Sequence, residues 1–320
     1  GAARRIKFQW WQEPKPTFEE VATAVAAHPQ ALVIVNTVAD ARRLARMVAD
    51  RAGPDRVLHL STRMCPAHRR TVLDQTRERL ETGRPVLLVA TQLVEAGVDV
   101  DFPIVYRALA PADSLLQAAG RANREGRGTA LGTVVIFDAA GAGAPPAYRT
   151  GIGITRRFFG PDRADPDDLA TLGRYYPALY QALNVDEGPR ATEIQRNRDK
   201  FAYRSVSDGP IIDAVTGRRD PARGFRMLDD DSVAVIVTSY GSGGKSAMGL
   251  LDRLRAGRVP DTGEFRGLQP YTVSLPHRVA ARPDVDALLR PVTEGLWEWV
   301  GTYDPLVGID DETTVGQTVW

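Results

Sequence analysis

Short, unbroken apolar runs recur along the first part of the chain: Leu32-Val-Ile-Val35, Val57-Leu-His-Leu60, Val86-Leu-Leu-Val89, Ile104-Val-Tyr106 and Val134-Val-Ile-Phe137. Continuous runs of this length, without polar alternation, predict strands buried on both faces. Lys7-Phe-Gln-Trp-Trp11 reads as a further short strand. The intervening stretches carry helix signals. Thr17-Phe-Glu-Glu20 is a capping-box pattern that opens a helix to about Ala27. Ala39 to Arg51 is a helix stopped by Gly53-Pro54, and Ala67 to Leu80 is another. Strands alternating with helices predict an α/β fold with a parallel sheet covered on both faces. Function in such sheets collects at the carboxyl ends of the strands. That rule points to Asn36-Thr37, Ser61-Thr62 and Thr91 onward.

The rhythm then changes. Ala139-Ala-Gly-Ala-Gly-Ala-Pro-Pro146 is small and Pro-rich, a composition break expected to end the first domain at residue 142. Residues 143–223 are expected to form a polar helical linker, with helices over Leu172–Leu183 and Ala191–Phe201. Residues 224–320 are expected to form a small α+β domain. Its predicted strands are Ser232–Thr238 and Tyr271–Leu275, its helices Ala247–Ala256 and Asp284–Leu289, and its aromatic tail Leu296–Val307 should pack as core.

Composition narrows the function classes. The chain has 320 residues, 43% of them hydrophobic, enough for two domains with cores. Its formal net charge of +1 gives no global electrostatic case for nucleic-acid binding, so any such surface must be local. A single cysteine, Cys65, excludes an intramolecular disulfide and fits a reducing cytoplasm. No apolar run approaches a membrane span, and no internal repeat is present. The start at Gly1, without Met, suggests a processed or excised piece.

Candidate chemistry gathers at Gln117-Ala-Ala-Gly-Arg-Ala-Asn-Arg124. Asp113 stands before it as a candidate helix cap. If the run from Ser114 is helical, Gln117, Arg121 and Arg124 share one face and present an amide and two guanidinium groups to phosphate oxygens. A solvated basic helix end would look the same, but Gly120 costs about 1 kcal/mol against Ala inside a helix and suggests close approach by a ligand or a backbone. Upstream, Val89-Ala-Thr-Gln-Leu-Val-Glu-Ala-Gly-Val-Asp99 offers a Thr hydroxyl and free N–H groups at a strand end, and Gly97 turns the chain so that Asp99 can reach a hydroxyl or a metal-bound water. Two further features carry less. Ser239-Tyr-Gly-Ser-Gly-Gly-Lys-Ser246 is the nearest approach to a phosphate loop, but its first position is Ser239 and no acidic strand follows. The glycines serve equally as a flexible strand-to-helix turn. His28, His59, His68 and His277 have no metal-ligand spacing, and His68 with Cys65 gives only two ligands.

The order and spacing of these stretches resemble motifs V and VI of superfamily 2 helicases, and Asn36-Thr-Val-Ala-Asp40 falls where motif IV belongs. His59-Leu-Ser-Thr-Arg-Met-Cys-Pro-Ala-His-Arg69, Val94-Glu-Ala-Gly-Val-Asp-Val-Asp-Phe102 and Gln117 to Gly126 are similar to the type I CRISPR-associated helicase-nuclease. Phe225 to Ser232 and Leu268 to Val273 resemble its linker and C-terminal domain. The resemblance implies a second RecA-like lobe over residues 1–142. Arg121 and Arg124 would reach the γ-phosphate of ATP, with Arg124 as the arginine finger and Gln117 as a sensor. Gly97, Asp99 and Gly120 would line the nucleotide. Thr91, Thr37, Ser61, Thr62 and Arg63 would hold phosphates of single-stranded DNA without reading its sequence. ATP and Mg would be held mainly by the first RecA-like lobe, which, with the HD nuclease domain, is not in this chain: no His-Asp dipeptide occurs in it. Partners implied are single-stranded DNA, the Cascade surveillance complex, and that first lobe and nuclease in cis or in trans. Alone, the chain is expected not to hydrolyse ATP. Two other functions remain open, a non-catalytic DNA- or Cascade-binding fragment and a superfamily 2 helicase acting on RNA.

Overall fold

The computed structural model describes residues 6–94, 99–123, 131–183, 189–208, 232–258 and 262–311. The first part alternates strand and helix as the apolar runs predict. In chain order it forms β1 (Ile6–Trp11), α1 (Phe18–Ala26), β2 (Gln30–Val35), α2 (Val38–Ala52), β3 (Val57–Leu60), α3 (Pro66–Glu81), β4 (Val86–Thr91), β5 (Ile104–Ala108), α4 (Ala112–Ala119), β6 (Gly132–Phe137) and α5 (Pro146–Phe158). The six strands make one sheet in the order β1-β6-β5-β2-β4-β3, and every pairing is parallel. Leu32 and Ile34 point to one face of β2, with Leu88, Val105 and Ile136. Ala31, Val33 and Val35 point to the other, with Val89, Val135 and Phe137. Successive side chains alternate faces, so only an unbroken apolar run can fill both cores. Helices α1 and α2 cover the second face through Phe18, Val21, Val25, Leu44 and Val48. Leu115, Ala118 and Ile152 of α4 and α5 lie in the core of the first.

Local chemistry sets several boundaries. The Thr17–Glu20 capping box forms in both directions, with the Glu20 N–H donating to the Thr17 hydroxyl at 3.2 Å and the Thr17 N–H to the Glu20 carboxylate at 2.8 Å. Gly53, at φ 90°, ends α2. Two expectations need correction. Asp113 does not cap α4: the capping position is Pro111, and Asp113 lies in the first turn without a side-chain capping bond. The Pro-rich break at Ala139–Pro146 leads straight into α5, which was not anticipated. Pro146 begins that helix, where a missing N–H costs nothing. Gly151 lets it close on α4's entry, since a Cβ there would lie 2.7 Å from Pro111 Cγ.

The described residues from 169 to 208 belong to a second compact unit. Its described helices are α6 (Leu169–Leu183), α7 (Pro189–Asp199) and α8 (Tyr203–Asp208). Tyr175, Tyr176 and Tyr180 run along α6, with ring centroids 5.3 and 6.2 Å apart.

Residues 232–320 share the first compact unit with residues 1–168. They form β7 (Ser232–Val237), α9 (Gly241–Arg255), α10 (Thr262–Leu268), β8 (Thr272–Pro276), α11 (His277–Ala280), α12 (Pro283–Asp286), β9 (Leu289–Thr293), β10 (Leu296–Trp299), β11 (Tyr303–Asp304) and β12 (Gly308–Ile309). A mixed four-stranded sheet runs β8-β7-β10-β9, and β11 pairs with β12. The helix expected over Asp284–Leu289 is a single turn, and Leu289 already opens β9, where it is buried against the core of Val235, Val237 and Trp299. Among the described residues, no helix is long and apolar enough to cross a membrane.

Candidate functional site

Strand β4 ends at Thr91, 4% exposed, and a short 3-10 turn over Gln92–Val94 follows. Gly97 lies outside the described residues. The chain resumes at Asp99, which is exposed, and then buries Phe102. Phe102 makes an isolated parallel bridge with Ala122. Its N–H donates to the Arg121 carbonyl at 2.9 Å, and the Asn123 N–H donates to the Phe102 carbonyl at 3.1 Å. Asn123 adopts φ 47°, a left-handed conformation that Asn tolerates better than most residues. These bonds lock the stretch after β4 against the stretch after α4.

This lock replaces the helical face expected from spacing. Helix α4 stops at Ala119 with Gly120 as its cap, so Gln117 is exposed on the last turn and Arg121 lies beyond the helix. Backbone pairing to Phe102 places Arg121, not helical periodicity. Arg124 lies outside the described residues. At Gly120 the only described atoms near a Cβ are carbonyls of its own helix at Leu116 and Gln117, so no described backbone from another element approaches it. The glycine required by a close approach is Gly132, where a Cβ would lie 2.8 Å from the Ala122 backbone.

The residues expected to hold phosphates are placed unequally. Thr62 is exposed at the carboxyl end of β3, and Ser61 is buried, its hydroxyl accepting from the Arg63 N–H at 3.3 Å. Thr37 caps α2: its hydroxyl donates to Asp40 Oδ2 at 2.8 Å and accepts from the Asp40 N–H at 3.1 Å. Asp40 Oδ2 also accepts from the Gly143 N–H at 2.8 Å, so the small-residue segment after β6 packs over this strand end. Beside it, the Asn36 amide donates to the Leu109 carbonyl at 2.8 Å and accepts from the buried Arg107 at 2.7 Å.

Arg63 is a correction. It was expected to offer a charge to DNA, but it is 6% exposed and lies 3.6 Å from the Asp311 carboxylate. Arg42 also pairs with Asp311, Arg46 donates to Asp310 at 2.6 Å, and the Arg282 guanidinium donates to the Asp311 carbonyl at 2.9 Å. The Ile309 N–H donates to the Arg63 carbonyl at 2.9 Å, and Gly308, at φ 84°, leaves no room there for a Cβ. The Tyr303 hydroxyl accepts from the Cys65 N–H at 3.1 Å and lies 2.9 Å from His68 Nδ1. The loop from Ser61 to His68 is thus the seat of the C-terminal hairpin. Burial holds the His68 ring down at about 4, against opposing contacts from the Pro305 backbone and Asp304. Burial and then the charge of Arg42 hold His59 at about 3. Nothing in the sequence flagged Arg42, Arg46, Tyr303, Asp310 or Asp311, because their partners lie far away along the chain.

The phosphate-loop candidate resolves toward packing. Only Thr238, Ser239 and Tyr240 separate β7 from α9, too few to wrap a phosphate, and Lys245 is already on the exposed face of the helix. Gly243 and Gly244 admit the Tyr271 ring and the Thr238 carbonyl, each of which a Cβ would strike. Among the described residues, no group of three His, Cys, Asp or Glu gathers to hold a metal.

Comparison with known proteins follows the same outline. Residues 27–127 match the family described as CRISPR-associated nuclease/helicase Cas3, C-terminal. The chain is 40% identical over 91 residues to the CRISPR-associated nuclease/helicase Cas3 of Haloferax volcanii, a match covering 28% of this chain and 10% of that protein. It is 29% identical over 155 residues to the Streptococcus thermophilus protein of the same description, covering 44% and 17%. The crystal structure of T. fusca Cas3-ATP shares the fold, with TM-score 0.55 at 18% identity over 95% of this chain and 42% of that one. A chain of the CRISPR RNA-guided surveillance complex, pre-nicking, gives TM-score 0.55 at 18% identity over 95% and 44%. The chain therefore spans less than half the length of these structural neighbours and matches a smaller part of the curated relatives. Residues 27–127 thus resemble the C-terminal region of the CRISPR-associated nuclease/helicase Cas3 in sequence, and the fold over 95% of the chain is similar to part of the T. fusca Cas3-ATP structure.

Proposed function

We propose that this chain supplies the second motor lobe (residues 1–142), the linker (143–223) and the C-terminal domain (224–320) of an ATP-dependent single-stranded-DNA translocase that degrades target DNA in type I CRISPR antiviral defence. The observation that carries the proposal is the backbone lock between Phe102 and Arg121 to Asn123. It joins the two stretches that a second lobe must present together to a nucleotide. ATP and Mg would be held by a first RecA-like lobe outside this chain. From this side Arg121 and Arg124 would approach the γ-phosphate, Gln117 would sense it, and Asp99, Gly97 and Gly120 would border the nucleotide. Positive charge placed where transition-state charge grows is worth roughly 10³–10⁵ in rate. Thr62, exposed at the end of β3, would meet a DNA phosphate directly, with the buried Ser61 and Thr91 behind the same edge and Thr37 keeping its capping bonds. Closing and opening of the two lobes with each ATP would step the chain along the strand. The nuclease domain and the Cascade complex would be partners of the complete protein.

The test is ATP hydrolysis stimulated by single-stranded DNA, measured on this chain alone and on a protein extended upstream through its own coding sequence. Turnover by the extended protein only is expected. Turnover by this chain alone would overturn the proposal, since Lys245 would then have to act as a phosphate ligand.

A further inference from the structure

Strand β3 lies at the edge of the parallel sheet and, among the described strands, is hydrogen-bonded only to β4. The loop that follows it, Ser61 to Cys65, therefore has no further strand beside it as a brace. Its internal bonds close one turn, with the Arg63 N–H donating to the Ser61 hydroxyl and the Met64 N–H to the Ser61 carbonyl, each at 3.3 Å. The C-terminal hairpin supplies the brace. β11 and β12 pair so that Tyr303 stands opposite Ile309. The Asp304 carboxylate closes the turn between them, accepting from the Leu306 and Val307 N–H groups at 2.7 and 2.9 Å. Both paired residues then bond the main chain of the loop. The Ile309 N–H donates to the Arg63 carbonyl at 2.9 Å, and the Cys65 N–H donates to the Tyr303 hydroxyl at 3.1 Å. Thr62, exposed between buried Ser61 and buried Arg63, is thus fixed on one side by the end of β3 and on the other by the hairpin.

A donor holds a phosphate oxygen only within a narrow range of distance and angle, so whatever fixes this loop also fixes its grip. We infer that the C-terminal hairpin, through Tyr303, is a positioning element for Thr62 and sets how tightly this strand end holds single-stranded DNA. The inference rests on the proposed contact of Thr62 with a DNA phosphate, and adds to it a residue that acts through the loop. Tyr303 is the member of the hairpin whose contribution can be removed most cleanly. Its hydroxyl accepts from the Cys65 N–H, lies 2.9 Å from His68 Nδ1 and donates to the Cys65 thiol at 3.5 Å. Its ring packs against His68 and Tyr240, with centroids 5.6 Å from each. Tyr303→Phe keeps that ring packing and removes only the hydroxyl, which leaves the Cys65 N–H without its acceptor and frees the loop to shift.

The test is a double-mutant cycle on the binding of a fluorescently labelled oligothymidylate to this chain, with Tyr303→Phe, Thr62→Ala and the two combined. A hydrogen bond to a charged phosphate corresponds to about tenfold in affinity, so Thr62→Ala is expected to weaken binding by about that factor. Tyr303→Phe is expected to lose most of the same factor, and to add nothing in the Thr62→Ala background, where the contact it positions is already gone. Because Thr62 carries no charge, the slope of log affinity against log salt should stay as in wild type. Leu254→Ala, in the separate core of Ile236, Leu251 and Val292, lowers stability away from the loop and is expected to bind as wild type does. Three results would overturn this inference and leave the proposed function standing, given a loss in Thr62→Ala. They are wild-type binding by Tyr303→Phe, a Tyr303→Phe loss that adds in full to that of Thr62→Ala, and an equal loss in Leu254→Ala. No binding by wild type, or unchanged binding by Thr62→Ala, would overturn the Thr62 contact itself and the inference with it.

Discussion

The Arg63 guanidinium lies 3.6 Å from the Asp311 carboxylate, both buried, so the loop after β3 and the end of the C-terminal hairpin form one electrostatic unit. Arg42 shares the same carboxylate. Removing one member of a buried ion cluster leaves the others uncompensated, which typically costs about 3–5 kcal/mol. We expect Asp311→Ala to lower thermal stability strongly, and Asp311→Asn, which keeps hydrogen bonds, to do so less. Differential scanning calorimetry would check both. A midpoint unchanged in Asp311→Ala would show that the hairpin does not hold the lobe.

The buried histidines set a pH dependence. His59 is held at about 3 and His68 at about 4, against 6.5 for the ordinary imidazole. Below pH 6.5 the unfolded chain therefore binds protons that the folded chain does not. Stability is full above that value and falls as pH drops toward 4, at up to about 1.4 kcal/mol per pH unit for each histidine. Unfolding at a series of pH values between 7 and 4.5 should show this loss, and His59→Gln should flatten it. An equal slope in the variant would place the proton uptake elsewhere.

Gly132 lets β6 begin directly beside the crossing of Phe102 and Ala122. Gly132→Ala would push a methyl group into the Ala122 backbone and shift Arg121. Overpacking of this kind costs about 1–3 kcal/mol. We expect a fall in DNA-stimulated ATP turnover by the upstream-extended protein that exceeds any fall in DNA binding by this chain. Equal losses in both would indicate general unfolding instead of a displaced arginine.

Gly243 and Lys245 separate packing from chemistry. A Cβ at position 243 would lie 1.8 Å from the Tyr271 hydroxyl, while Lys245 is exposed. Gly243→Ala is expected to destabilise the C-terminal part, visible as a lower melting temperature. Lys245→Ala should leave both stability and ATP turnover as they were. A turnover defect in Lys245→Ala would restore that stretch as a phosphate site.

The sheet was legible because both its faces are covered, which demands unbroken Val, Ile and Leu runs such as Val86–Val89. Thr17 with Glu20, and Gly53 with Pro54, announced helix ends through local chemistry alone. Helix α5 was hidden because Gly151 and the flanking prolines read as breakers, whereas Gly151 answers a contact with Pro111 on another element. The phosphate-binding candidates at the strand ends followed from topology, but the fate of each side chain did not. Arg63 looked like a surface cation until its distant partner Asp311 closed over it. Arg121 was placed by spacing on a helical face with Gln117, but α4 ends at Ala119, and the position of Arg121 comes from a backbone pairing that no periodicity encodes.

The measurement that bears most directly on the function is ATP turnover by the upstream-extended protein, saturated with single-stranded DNA, carrying Arg121→Ala or Arg124→Ala. A loss in kcat of roughly 10³-fold or more for Arg124→Ala, with ATP affinity retained, is expected of a charge that acts on the transition state. Turnover unchanged in both variants would contradict the assignment of this lobe's arginines to the γ-phosphate.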